Sequence, residues 1–113
     1  MTPTQRSLQK LRADGYTACV VERWIPRVMV RKDAFGFGDI LGIRGPDTGA
    51  LLVQTTTASH SAAREKKIVD LPEAALWVGC GNRIEVHSWA KRGGRGARKV
   101  WTCVVVSVGK EDL

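Results

Sequence analysis

A chain of 113 residues, 43% of them hydrophobic, has material for one domain around one modest core and excludes a disordered polymer. No apolar run approaches the roughly 20 residues of a membrane span, and the opening MTPTQRSLQK has no hydrophobic stretch of the signal-peptide kind, so a cytoplasmic protein with no membrane partner is expected. The 18 Lys and Arg against 11 Asp and Glu leave a formal charge of +7, which favours polyanionic partners.

In chain order, Thr2-Pro3-Thr4-Gln5 reads as a helix start, with Thr2 as N-cap, Pro3 in the first turn and Gln5 closing a capping box. Leu8 and Leu11 supply an apolar stripe and Gly15 a stop, predicting a helix over Pro3 to Asp14. Tyr16 to Trp24 is rich in β-formers and predicts a strand ended by Pro26, with Val28 to Arg31 extending it after a bend. Gly38 to Arg44 and Ala50 to Thr56 predict a hairpin across the turn-rich Gly45-Pro46-Asp47-Thr48-Gly49.

Ser59 to Asp70 predicts a helix capped by Ser59, and Pro72 begins a shorter one through Val78. Arg83 to Trp89 alternates as a half-buried strand, and Val100 to Val108, nearly all β-forming, predicts a buried one. One mixed sheet with helices packed on it follows. Cys19, Cys80 and Cys103 form no CxxC pair and sit in apolar or glycine-rich surroundings, as buried reduced thiols do.

Several residues stand out chemically. Asp39 opens the hydrophobic segment DILGI, where a charge is costly unless it faces a cleft or meets a cation; the alternative is a strand-edge Asp capping a glycine turn. His60, Arg64 and Lys67 follow i, i+4, i+7 spacing and share one helix face, with Lys66 turned about 100° away. That face either borders a cleft or is simply solvated. Phe35-Gly36-Phe37-Gly38 is either a tight turn with two core aromatics or a phosphate-admitting turn whose rings stack on bases.

Lys91-Arg92-Gly93-Gly94-Arg95-Gly96-Ala97-Arg98-Lys99 packs five cations into a glycine-rich loop between Trp89 and Trp101, suited to wrapping phosphates. Arg23, Arg27, Arg31 and Lys32 form a second basic cluster.

The element order, together with Lys32-Asp33-x-Phe35-Gly36-x-x-Asp39 and Leu51-Leu52-Val53-Gln54-x-Thr56, resembles the PD-(D/E)XK nuclease superfamily. Within it the chain is similar to archaeal-type Holliday-junction resolvases and to small phage-encoded proteins of that kind, over roughly residues 4 to 108. The resemblance implies a single nuclease domain of α/β class: an αβββαβ restriction-endonuclease-like core, a mixed sheet flanked by helices, and an extra C-terminal strand. It also implies DNA as partner, branched DNA among its forms, a homodimer as in the resolvases, and the host cytoplasm as location for a phage-encoded protein.

By the same resemblance Asp39 is the motif's aspartate, and Gln54 stands where the family has Glu. The Thr55 backbone carbonyl would be a neighbouring ligand for Mg²⁺ or Mn²⁺. Thr56 occupies the place of the motif's Lys and cannot replace its charge, so Lys67 or Arg64 is expected to supply the cation, unless the site is degenerate and only binds. The family's first-helix Glu is absent, with Gln5 and Gln9 nearest. Glu22, in a strand, is preferred over the loop residue Asp33 as partner to Asp39; pairing of Glu22 with Arg23 or Arg31 is the alternative.

The expected catalytic set is therefore Asp39, Gln54, Lys67 and Arg64, and the expected metal ligands are Asp39, Gln54, Glu22 and Thr55. Lys91, Arg92, Arg95, Arg98, Lys99, Arg31 and Lys32 are expected to grip nucleic acid. Three functions compete: a metal-dependent endonuclease, a catalytically silent nucleic-acid-binding module, and a basic structural or assembly protein of a phage.

Overall fold

The computed structural model describes all 113 residues. Helix α1 spans Pro3–Ala13, started by the full capping box: Thr2 accepts from the Gln5 N–H and the Gln5 side chain accepts from the Thr2 N–H. Strand β1 (Thr17–Val20) follows and pairs antiparallel with β4 (Ile40–Ile43). Between them the chain makes a separate two-stranded ribbon of β2 (Arg23–Ile25) and β3 (Val30–Lys32).

Strand β5 (Leu51–Thr57) pairs antiparallel with β4, completing the expected hairpin. A 3₁₀ turn over Ala58–His60 leads into α2 (Ser61–Val69), and α3 (Pro72–Gly79) follows. Strand β6 (Arg83–Arg92) runs parallel to β5, and β7 (Val100–Val108) closes the sheet antiparallel to β6. The main sheet therefore has the order β1-β4-β5-β6-β7 and is mixed, its single parallel pair bridged by the helical crossover.

Alternation along β5 sends its side chains to two layers. Leu51 and Val53 pack with Leu11 of α1, Tyr16 and Ile40. Leu52 points the other way, into a core with Phe37, Ile68 of α2, Ala74 of α3, Ile84 and Val86. Deleting a fully buried aliphatic side chain such as Ile68 typically costs about 2–5 kcal/mol. The α1 layer also holds a buried polar knot: Trp89 Nε1 donates to Ser7 Oγ at 2.8 Å, and Ser7 Oγ lies 2.9 Å from His87 Nδ1.

Five expectations need correction. The strand expected over Tyr16 to Trp24 breaks after Val20, because the Val21 and Glu22 N–H groups both turn to the Asp39 carbonyl and lead the chain off the sheet. The segment after Pro26 does not extend it but folds back on it, Ile25 opposite Val30.

Strand β7 is at the sheet edge, paired on one side only, with Val100, Trp101, Val104 and Val105 exposed. Cys19 and Cys80 are exposed and Cys103 half-buried; all three are free thiols, and burial pushes Cys103 up to about 11. Ser59 makes no N-cap bond, because the 3₁₀ turn moves the start of α2 to Ser61.

Candidate active site

The site lies at the carboxyl end of β5. Ile40 sits opposite Val53, so Asp39, one residue before β4, lies beside Gln54 and Thr55. Gly38 permits this approach: a Cβ there would overlap the Leu52 side chain.

Asp39 is only 3% exposed. Its Oδ2 accepts three hydrogen bonds, from Gln54 Nε2 at 2.9 Å, the Thr55 N–H at 2.8 Å and Thr55 Oγ1 at 3.1 Å. Thr55 Oγ1 is bonded in turn to Thr4 Oγ1 at 2.9 Å, which ties the start of α1 to the site. Asp39 thus points into a cleft rather than capping a turn at the surface.

Two further carboxylates meet it. Glu22 immediately precedes β2 and Asp33 immediately follows β3. Pairing of Arg23 with Lys32 draws both ends of the ribbon together. Carboxylate oxygens of Glu22, Asp33 and Asp39 all lie within 4.8 Å of one another. Burial pushes the Asp39 carboxyl up to about 8; the Thr55 N–H opposes this, and the neighbouring Asp33 and Glu22 carboxyls add to it. Such a cluster favours either a shared proton or a bound cation.

Cations border the carboxylates. Arg31 donates to Glu22 at 2.7 Å, the pairing weighed above as the alternative role for Glu22, and Lys67 Nζ is 3.6 Å from Asp33. Arg64, one turn before Lys67, lines the same cleft of about 450 Å³. No hydrophobic side chain lines it. The Gln54 carbonyl oxygen, Oε1, is buried there without any hydrogen-bond partner. An unsatisfied buried acceptor of this kind costs about 1–3 kcal/mol, a cost that a donor or cation reaching it would relieve.

The fold therefore brings together Asp39, Gln54, Thr55, Glu22, Arg31, Arg64 and Lys67. Asp33 joins them, although its loop position made it the weaker candidate. The signal for it was present: Glu22 and Asp33 bracket a β-forming segment broken only by Pro26, and a hairpin there must juxtapose its ends. Thr4 was not singled out, and no pattern in the sequence marks it.

His60 does not share the cleft, because it ends the 3₁₀ turn and bonds Thr57 Oγ1 at 2.9 Å. Lys66 faces away and pairs with Asp70 at 2.9 Å. Thr56 is buried.

Lys32 is exposed on the ribbon. Lys91 and Arg92 end β6, and Arg95, Arg98 and Lys99 are exposed in the following loop. Thr55 pairs with His87 and β6 continues to Arg92, so the loop begins about 17 Å beyond the cleft at the same end of the sheet. Trp89 belongs to the core, whereas Trp101 is exposed, with the Arg6 guanidinium 4.0 Å and Lys91 Nζ 5.6 Å from its ring centre. Phe37 is fully buried and Phe35 is 58% exposed, so the two rings of the glycine-rich turn divide between core and surface.

No known protein family, no curated protein and no solved structure matches this chain.

Proposed function

We propose that the protein is a metal-dependent DNA endonuclease built on a PD-(D/E)XK core. The carrying observation is the Glu22–Asp33–Asp39 cluster beside the unpaired Gln54 carbonyl, in a cleft bordered by Arg31, Arg64 and Lys67. Hard oxygen donors of this kind suit Mg²⁺ or Mn²⁺. With the ribbon and the second crossover helix α3 set aside, α1, β1, β4, β5, α2 and β6 follow the αβββαβ order, β7 is the extra strand, and the acidic cluster lies where β4 and β5 meet.

Asp39, Glu22 and Asp33 would hold the ion, with Gln54 Oε1 and the Thr55 carbonyl as neutral ligands. A divalent ion there would polarise the phosphate and acidify the attacking water. Asp39 is oriented by its three donors on Oδ2. Its burial means the carboxylate must lose its proton before it can ligate.

Lys67 and Arg64 supply positive charge to the scissile phosphate in place of the absent motif lysine. Arg31 and Lys67 now neutralise Glu22 and Asp33, and a bound ion would free both for phosphate. The basic loop after β6 grips the flanking backbone.

A second reading, a DNA-binding module without catalysis, is favoured by one observation: Thr56 is buried and uncharged at the motif lysine's position. Incubation with linear, single-stranded and four-way-junction DNA in Mg²⁺, Mn²⁺ or EDTA separates the two. Nicking that needs metal and disappears in Asp39→Asn supports the nuclease. Binding to DNA with no nicking in any metal supports the silent module.

A further inference from the structure

The β2–β3 ribbon is larger than its task in the cleft requires. Its strands pack chiefly on each other rather than on the domain. Trp24 and Val30 are half exposed, Val28 is 59% exposed and Met29 72% exposed. Met29 also adopts φ 55°, a left-handed conformation that a bulky residue rarely takes and that Gly or Asn adopts at less cost. The tip therefore holds two apolar side chains in solvent at an energetic cost, and exposed apolar clusters of this sort mark contact surfaces.

Charge selects the partner. Residues 23–32 carry Arg23, Arg27, Arg31 and Lys32 and no acidic residue. A second copy of the ribbon would repel it, whereas a polyanion would be attracted. Geometry narrows the partner further. The ribbon springs from Glu22 and Asp33, two of the three clustered carboxylates, so its root is fixed at the cleft. From Glu22 through β2 to the turn at Pro26 the extended chain rises roughly 13 Å, more than the ~8.5 Å depth of a major groove wide enough for a two-stranded ribbon. The turn at the tip sets Val28 and Met29 beside Arg27, and apolar wedges of Met and its like separate stacked bases.

We propose that the ribbon is a DNA-inserting arm. Arg23, Arg27 and Lys32 lie along the phosphates of the groove, and Val28 and Met29 wedge into a base step beside the phosphate held at the cleft. The assignment rests on the reading of the cleft as a phosphodiester site.

The test uses the full chain with duplex and four-way-junction DNA carrying 2-aminopurine at successive positions, in Ca²⁺, which takes the same oxygen ligands. The wild type should brighten the probe severalfold at one position on binding. Val28→Ser/Met29→Ser, changed only at exposed sites, should lose the brightening and keep the salt dependence of binding. Arg27→Ala should do the reverse, keeping the brightening while the slope of log K against log salt flattens by about 0.9.

Brightening that survives in the tip variant, or brightening at no position, overturns the wedge. So does a wild-type dimer that the tip variant converts to monomer, because the second copy then covers the tip. Wild type that binds no DNA overturns both the arm and the DNA reading. Wild type that binds and brightens the probe yet never nicks in Mn²⁺ overturns the nuclease and leaves the arm standing.

Discussion

Gln54 spends its amide N–H on Asp39, 2.9 Å away, and leaves its carbonyl oxygen buried and unpaired. On the proposed reading the side chain would orient one metal ligand and supply another, without adding a negative charge to a place that already holds three carboxylates. Gln54→Glu would add that charge. Its expected effect is a lower melting temperature without metal and tighter Mn²⁺ binding, by about tenfold or more, because each added charge acts strongly at this range. Calorimetric titration and thermal melts read both. Unchanged Mn²⁺ affinity would remove Gln54 from the ligand set.

Asp39 makes stability, and binding of the proposed metal, depend on pH with predictable sign. Its folded carboxyl is raised from 3.8 to about 8, so between those values the folded state holds a proton that the unfolded state has lost. Its contribution to stability is therefore fully present below the unfolded value and is lost as pH rises through about 8. Asp39→Asn, which keeps an acceptor for the three donors but no charge, should raise the metal-free melting temperature at pH 8 and above, and DNA binding should persist or improve. A metal held at the proposed site would compete with that proton in the wild type. Apparent Mn²⁺ affinity should climb up to about tenfold per pH unit below the Asp39 value and level off above it. A flat affinity from pH 6 to pH 9 would refute the coupling.

Lys67, 3.6 Å from Asp33, is the cation to which the proposed nuclease reading gives the role of a motif lysine. Lys67→Ala should lower the nicking rate at saturating DNA and Mn²⁺ by about 10²–10³, the usual effect of losing one charge-stabilising group. Lys67→Arg should recover part of it, and DNA affinity should change little. An unchanged rate in Lys67→Ala, with a fall in Arg64→Ala instead, would reassign the role to Arg64.

The loop after β6 is tested by salt. Arg92, Arg95 and Arg98 are exposed and none is in an ion pair within the protein. Replacing all three by Ala should weaken DNA binding and flatten the slope of log K against log salt by roughly 0.9 per lost phosphate contact. An unaltered slope would show that the loop does not touch the backbone.

The sequence alone determined those features that depend on near neighbours. The start of α1 follows from Thr2, Pro3 and Gln5, which satisfy the first turn's N–H groups among themselves. The β4–β5 hairpin follows from two apolar runs flanking a turn-forming pentad, and β7 begins and ends where its β-branched run does. Asp39 was legible for the same kind of reason: a carboxylate opening a buried strand needs a partner.

What remained was decided by contacts between distant segments. The turn of Val21 and Glu22 toward Asp39 splits a run that locally reads as one strand, and only the resulting ribbon brings Asp33 to the cluster. Phe35 and Phe37, two residues apart in one turn, separate into surface and core because Phe37 packs inward with Ile68 and Ala74 whereas Phe35 lies against Trp77 on the outer side of α3. The same holds for the exposed edge of β7 and the exposed thiols of Cys19 and Cys80. Burial is a property of what packs on a residue, and β-propensity, which favours an edge strand as much as a central one, carries no information about which side will be covered.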